Sequence, residues 1–154
     1  MKIIIISDSH GNKIAIDKIF KTQEFDYLFF LGDGLNDLGD YIYLDNVYAV
    51  SGNCDFFSNV PNEREFYIKD IKFFITHGNK YFVKKSLDFL KGRAMEENID
   101  FACFGHTHNK VVERYNHTIF INPGTFYHKL NNKSYGLILN IKNKNDYQIE
   151  DLIV

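Results

Sequence analysis

Five short polar clusters recur along the chain, and each follows directly on an apolar run. Asp8-Ser9-His10 comes after Lys2 to Ser7, Gly32-Asp33 after Tyr27 to Leu31, and Gly52-Asn53-Cys54-Asp55 after Val47 to Val50. His77-Gly78 ends Lys72 to Thr76, and Gly105-His106-Thr107-His108 ends Phe101 to Phe104. Short apolar runs of this kind read as strands buried on both faces. In an open sheet with helical crossovers the C-terminal ends of such strands gather along one edge, which is where these folds bind ligands. Segments far apart in sequence are therefore predicted to converge.

The clusters share a chemistry. Four of the six histidines fall in them, together with aspartates, Asn53 and glycines that permit tight turns. Imidazole, carboxylate and amide oxygen form a ligand set for divalent metals, and two adjacent metals suit hydrolysis of phosphate esters. Asp8 and His10 are one residue apart, as are His106 and His108. On a turn, that spacing lets both side chains of a pair aim at a common centre. Taken singly, each of these histidines reads equally well as an ordinary turn or core residue; their joint occurrence with Asp8, Asp33 and Asn53 carries the metal reading.

Between the clusters, periodicity separates helices from strands. Lys13 to Lys21 places Ala15, Ile16, Ile19 and Phe20 on one face of a helix. Tyr81 to Asn98 carries Val83, Leu87, Leu90 and Ala94 at helical spacing, with Gly92 as a weak point. Leu38 to Leu44 has no decisive period. Phe66 to Ile68 and Lys72 to Thr76 read as a hairpin turning at Asp70. After Phe104 the pattern changes to strands without helices, at Val111 to Tyr115, Thr118 to Ile121, Tyr135 to Ile141 and Tyr147 to Val154, the last pair joined by a polar turn. The chain is thus α/β, and no repeat or linker divides its 154 residues.

Composition excludes several functions. The formal charge is −2, so no general basic field draws the chain to nucleic acid. No apolar stretch approaches the roughly 20 residues of a membrane span, and the N-terminus runs straight into a strand, so a cytoplasmic protein is expected. Cys54 and Cys103 form neither a C-x-x-C pair nor a dense framework, in keeping with a reducing compartment. Cys103 lies within an apolar strand and reads as core, while His117 and His128 fit no cluster and read as surface. Lys80, Lys84, Lys85, Lys91 and Arg93 read as a solvated helix face. Phe56, Phe57, Phe126 and Tyr127 follow cluster turns; packing is expected of most, with stacking on a base or aryl group as the alternative.

These five blocks resemble the signature blocks of the calcineurin-like metallophosphoesterases. The small size, the cysteine at position 54 and the segment Asn122-Pro123-Gly124-Thr125 resemble the YfcE-type phosphodiesterase branch, and the likeness runs from Ile3 to about Gly136. It implies one domain over residues 1–154, built as two facing β-sheets flanked by helices in an αββα sandwich. It implies two divalent metal ions, manganese first, with nickel, iron, cobalt or zinc compatible with the same donors. One metal would be held by Asp8, His10 and His108, the other by Asn53, His77 and His106, with Asp33 bridging them. A hydroxide shared by the metals would attack a small phosphodiester, Asn53 would help hold the phosphate, and Asp55 would orient a neighbouring ligand.

Cys54 departs from the wider superfamily, where many members carry a histidine assigned to the leaving oxygen. A thiol with an ordinary pKa near 8.5 is a poor substitute, which puts phosphomonoesters and poor leaving groups in doubt. Cys54 as a nucleophile beside His77 is a weaker alternative, because the metal reading claims that histidine. Two other functions fit the resemblance: a nuclease or nucleotide phosphatase on the same centre, and a non-catalytic scaffold like the retromer small subunit, which has lost catalytic ligands. Every ligand position is filled here, which disfavours the scaffold. Homo-oligomerisation is compatible with all three.

Overall fold

In the computed structural model, residues 1–56, 58–127 and 133–154 are described; Phe57 and His128 lie outside them. The chain forms two five-stranded sheets. The first contains β1 (Lys2–Ile6), β2 (Tyr27–Phe30), β3 (Val47–Ala49), β9 (Tyr135–Asn143) and β10 (Asp146–Ile153), in the order β10-β9-β1-β2-β3. The second contains β4 (Glu63–Ile68), β5 (Ile71–Thr76), β6 (Phe101–Cys103), β7 (Lys110–Tyr115) and β8 (Thr118–Pro123), in the order β4-β5-β6-β8-β7. In each sheet three parallel strands carry antiparallel partners outside them: β1, β2 and β3 beside β9, and β5, β6 and β8 between β4 and β7.

Alternation along the strands explains the layers. Ile3 and Ile5 point to a core shared with Phe73, Ile75, Phe101 and Ile121 of the second sheet. Ile4 and Ile6 point the other way, where they pack with Ala15, Ile16 and Ile19 of α1 (Lys13–Thr22) and with Leu35 and Leu38 of α2 (Leu35–Leu38). Phe74, Ala102 and Phe120 form a third cluster with Leu90 and Ala94 of α3 (Asp88–Glu96). A continuous isoleucine run is thus what a strand with a core on both faces requires, and the fold is the αββα sandwich. No helix among the described residues is long and apolar enough to cross a membrane.

Three segments differ from the periodicity. The helix expected from Tyr81 starts only at Asp88, after a short 3-10 turn at Asn79–Tyr81. Phe82 takes a left-handed φ of 52°, which no helix continues through, and Asn98 does the same at φ 53° beyond the far end. Val83 is buried in the third cluster all the same, and it lies against Gly78, where a Cβ would meet its side chain at 2.9 Å. Leu38 to Leu44 closes α2 and continues as a 3-10 helix at Gly39–Tyr43. β4 begins at Glu63, opposite Thr76, three residues before its first apolar side chain.

Of the basic residues expected on a helix face, Lys91 is ion-paired with Glu113 and Arg93 with Glu65 and Glu97. His117 is exposed, and Cys103 is fully buried with its thiol pKa pushed up by that burial.

Two substitutions should move stability in opposite directions. Phe29 is fully buried between the sheets, its ring 5.3 Å from Phe73 and 5.5 Å from Phe66, and Phe29→Ala should cost about 3–5 kcal/mol. A Cβ on Gly92, in the middle of α3, meets nothing within 4 Å, so Gly92→Ala should stabilise by about 0.5–1 kcal/mol. Urea unfolding measures both.

Candidate metal centre

All five clusters lie beyond the C-terminal ends of β1, β2, β3, β5 and β6. Their backbone is unusual. Asp8, His10, Asp33, His106 and His108 take φ values of 57°, 43°, 58°, 67° and 60°, the left-handed region that costs a non-glycine residue on the order of 1 kcal/mol or more. Such conformations persist only where surrounding hydrogen bonds over-determine them. Here Asp8 N–H donates to Gly32 O at 2.9 Å and His10 N–H to Asp33 O at 3.3 Å, so the first two clusters fold against each other.

The first group of convergent donors is Asp8, His10 and His108, whose donor atoms lie within 4.8 Å of one another. Asp8 has no exposed surface. Its Oδ2 accepts from Ser7 Oγ at 2.5 Å and from the His106 backbone N–H at 3.2 Å. Its Oδ1 is buried and accepts no hydrogen bond, although His108 Nε2 is 3.0 Å and His10 Nε2 3.8 Å away. The two imidazole nitrogens are themselves 3.5 Å apart. A buried carboxylate oxygen without a donor is costly. A cation between it and two ring nitrogens removes that cost, so the residues present fit a metal.

Asp33, His77 and His106 form the second group, again with donor atoms within 4.8 Å. His77 is fully buried, and its Nδ1 lies 2.7 Å from Leu31 O, which fixes the proton on Nδ1 and turns Nε2 inward. That Nε2 is 3.4 Å from Asp33 Oδ2 and 3.2 Å from His106 Nδ1. Burial pushes the Asp33 pKa up, but the His77 ring and the Cys54 N–H outweigh it and hold the carboxyl well below its usual range. Burial works against charge on His77 as well, yet Asp33 prevails and the pKa rises. At His106 burial and the charge of His77 lower it. The backbone N–H of His106 on Asp8 makes the two groups neighbours.

Asn53 and Cys54 lie on the rim, both exposed. Asn53 Nδ2 donates to Cys54 Sγ at 3.3 Å, and Cys54 N–H donates to Asp33 Oδ1 at 2.8 Å. Partial burial and the carboxylates of Asp33, Asp55 and Asp8 push the Cys54 thiol pKa up, so the chain's own charges favour the thiol over the thiolate.

The supporting residues are only partly legible in sequence. Asp55 accepts four backbone N–H groups, those of Asp33 and Gly52 at 2.8 Å and those of Gly34 and Leu35 at 2.9 Å, and so locks the second cluster to the third. Asp37 Oδ2 accepts from Ser9 Oγ at 2.5 Å and Gly11 N–H at 2.8 Å, holding the first turn. Buried Asn122 donates to Gly105 O at 2.8 Å and to Thr107 Oγ1 at 3.0 Å. Asp37 sits in a helix without a period of its own, and nothing in its neighbourhood announces the role. At Gly52 a Cβ would collide with the Asp33 carboxylate, which reserves that position for glycine.

Comparisons with known proteins agree with this geometry. Residues 1–144 match the model of the calcineurin-like phosphoesterase superfamily domain. The chain is 32% identical over 126 residues to the probable metallophosphoesterase YsnB of Bacillus subtilis, covering 81% of this chain and 75% of that protein. It is 30% identical over 145 residues to phosphodiesterase MJ0936 of Methanocaldococcus jannaschii, covering 80% and 83%. The crystal structure of a predicted phosphoesterase from Streptococcus pneumoniae superposes with a TM-score of 0.84 at 23% identity, over 98% of this chain and 88% of that one. The chain belongs to the calcineurin-like phosphoesterase superfamily.

Removing the Asp55 side chain strands four backbone N–H groups beside the centre. Asp55→Ala should destabilise by about 3 kcal/mol and weaken divalent-metal binding about 10- to 100-fold. Urea unfolding and a calorimetric metal titration check the two numbers separately.

Proposed function

From that membership we infer a dinuclear metal-dependent phosphodiesterase, a single domain over residues 1–154. The observation that carries it is the buried Asp8 Oδ1, which accepts no hydrogen bond and faces the ring nitrogens of His10 and His108. Asp8, His10 and His108 would hold one divalent cation and His77, His106 and Asn53 the other, with Asp33 between them. Manganese is the first choice, and nickel, iron, cobalt or zinc suit the same donors. Bound there, such cations supply a water of lowered pKa as nucleophile and draw charge from the phosphoryl oxygens.

The chain's own residues do the rest. Leu31 O holds the His77 proton on Nδ1, which keeps Nε2 free as a donor, and Asp55 fixes the turn that presents Asp33. Asn53 Oδ1 has no partner among the described residues and is free to meet a cation or the phosphate. Two carboxylates against two divalent ions leave a positive centre, matched to a diester monoanion. At the rim, Cys54 is a thiol of raised pKa and a weak proton donor to a departing oxygen.

The nuclease alternative calls for a basic groove; Lys91 and Arg93 are spent in ion pairs, and Lys84 is the cation that acts on the donor His106. A purely scaffolding role leaves the filled donor positions unexplained. Two free cysteines, one of them exposed, suit a cytoplasmic setting.

Hydrolysis of bis-p-nitrophenyl phosphate should require added divalent metal, and Asp33→Asn should lower kcat/KM by at least 100-fold. Lys142→Ala, at a position 82% exposed, should leave it unchanged. Full turnover by the metal-free protein, or by Asp33→Asn, overturns the reading.

A second expectation concerns leaving groups. With little protonation available from Cys54, rates should fall steeply as the leaving-group pKa rises. Cys54→Ala should keep a substantial share of aryl diesterase activity, while His106→Ala should lose most of it along with bound metal. The measurement is a series of aryl and alkyl diesters with metal content determined in each variant. A flat series, or an inactive but fully metallated Cys54→Ala protein, gives Cys54 an essential role and refutes this account.

A further inference from the structure

A cleft of about 450 Å³ opens beside the candidate centre, between the α2 region and the turn after β3. Cys54 belongs to both: it lines the cleft, and its backbone N–H donates to Asp33 Oδ1 at 2.8 Å. A molecule held at the metal donors therefore has the cleft as its immediate neighbour. The volume is that of a small-molecule site rather than of a surface crease.

Its walls select for a particular chemistry. Leu35, Ile42 and Val60 add apolar side chains to a lining that is otherwise largely polar, while Tyr43 and Phe56 border it with 83% and 78% of their surfaces exposed. Neither ring packs against another ring among the described residues, and both are largely exposed. Two large aromatic side chains bordering one cleft offer flat apolar surface on which a planar ring can stack. No lysine or arginine lines the cleft among the described residues, and the Asp55 carboxylate in its wall is turned onto four backbone N–H groups. The cleft is thus wrong for a second phosphate and right for an uncharged flat ring. Asn36 adds an exposed amide with no side-chain partner among the described residues, able to read the polar edge of such a ring.

We propose that this cleft binds an aromatic arm of the phosphoester, an aryl group or a nucleobase, stacked against Phe56 and Tyr43. The inference rests on the phosphodiesterase reading for what lies at the metal donors, and it narrows the substrate to esters with at least one planar, uncharged arm. Base or aryl stacking on an aromatic side chain supports a preference of about tenfold or more.

Isothermal titration calorimetry on the manganese-loaded full chain tests it with phenyl phosphate, adenosine 5′-monophosphate and methyl phosphate. The two aromatic esters should bind at least tenfold more tightly than methyl phosphate. Phe56→Ala and Tyr43→Ala, both at positions too exposed to support the fold, should each erase most of that preference while methyl phosphate still binds. If adenosine 5′-monophosphate exceeds phenyl phosphate and loses the advantage in Asn36→Ala, the arm is a base; if the two bind alike, it is a plain ring. Equal affinity for all three in the parent, or a preference untouched in both aromatic variants, overturns the proposal. Hydrolysis of bis-p-nitrophenyl phosphate, measured in parallel, keeps the two readings apart. Turnover without an aromatic preference removes the cleft alone, and the preference without turnover removes the phosphodiesterase reading alone.

Discussion

The buried carboxylate of Asp8 ties the two sheets together at the edge where the polar clusters meet. β1 of the first sheet delivers it, and one of its oxygens accepts the backbone N–H of His106, which follows β6 of the second. The backbone beside it is gripped in the same way: Thr125 Oγ1 donates to Asp8 O at 3.0 Å and Phe126 N–H to Ser7 O at 2.8 Å. An ionised carboxylate without exposed surface carries a desolvation penalty of several kcal/mol, and only good partners offset it. Its second oxygen accepts no hydrogen bond among the described residues and faces only the His108 and His10 rings. The position of the donor set is consequently a property of how the sheets pack, and not of loops added to a finished scaffold.

Left-handed backbone at five donor residues is the local expression of the same constraint. A chain minimising its own energy would relax these turns; Asp55, Asp37 and Asn122 prevent it by satisfying backbone N–H groups and a carbonyl on the turns themselves. Strain and clamp belong together, since neither makes sense in the absence of the other.

That pairing also sets how much could be read from sequence. The cluster order and the apolar runs are local and periodic, so the strands, the shared edge and the joint occurrence of Asp8, His10, Asp33, His77, His106 and His108 were legible. The superfamily resemblance supplied the sandwich and the division of ligands between two metals. What escaped detection depends on partners distant in the chain. Asp37 acts on a turn 26 positions earlier, and the charged start of β4 is a strand only because Thr76 lies opposite Glu63. The expected helix from Tyr81 failed because Val83 and Leu87 repeat at helical spacing for different reasons, one tucked under Gly78 and the other placed just before α3. Of the aromatic residues after the turns, Phe126 is buried and Phe56 is not, a distinction that spacing alone does not carry.

Charge completes the picture. The donor set contains two carboxylates, Asp37 and Asp55 stand behind it, and Lys84 lies near enough to act on His106. With no cation bound, the carboxylates at this edge oppose a phosphate ester, and the overall formal charge of −2 offers little remedy. Attraction for an anion must then come from what the carboxylates and imidazoles themselves hold. On the proposed function, cations would occupy the donors before an ester binds, and the proposed uncharged arm would add affinity through the neighbouring cleft, bringing no charge for its acidic surroundings to repel.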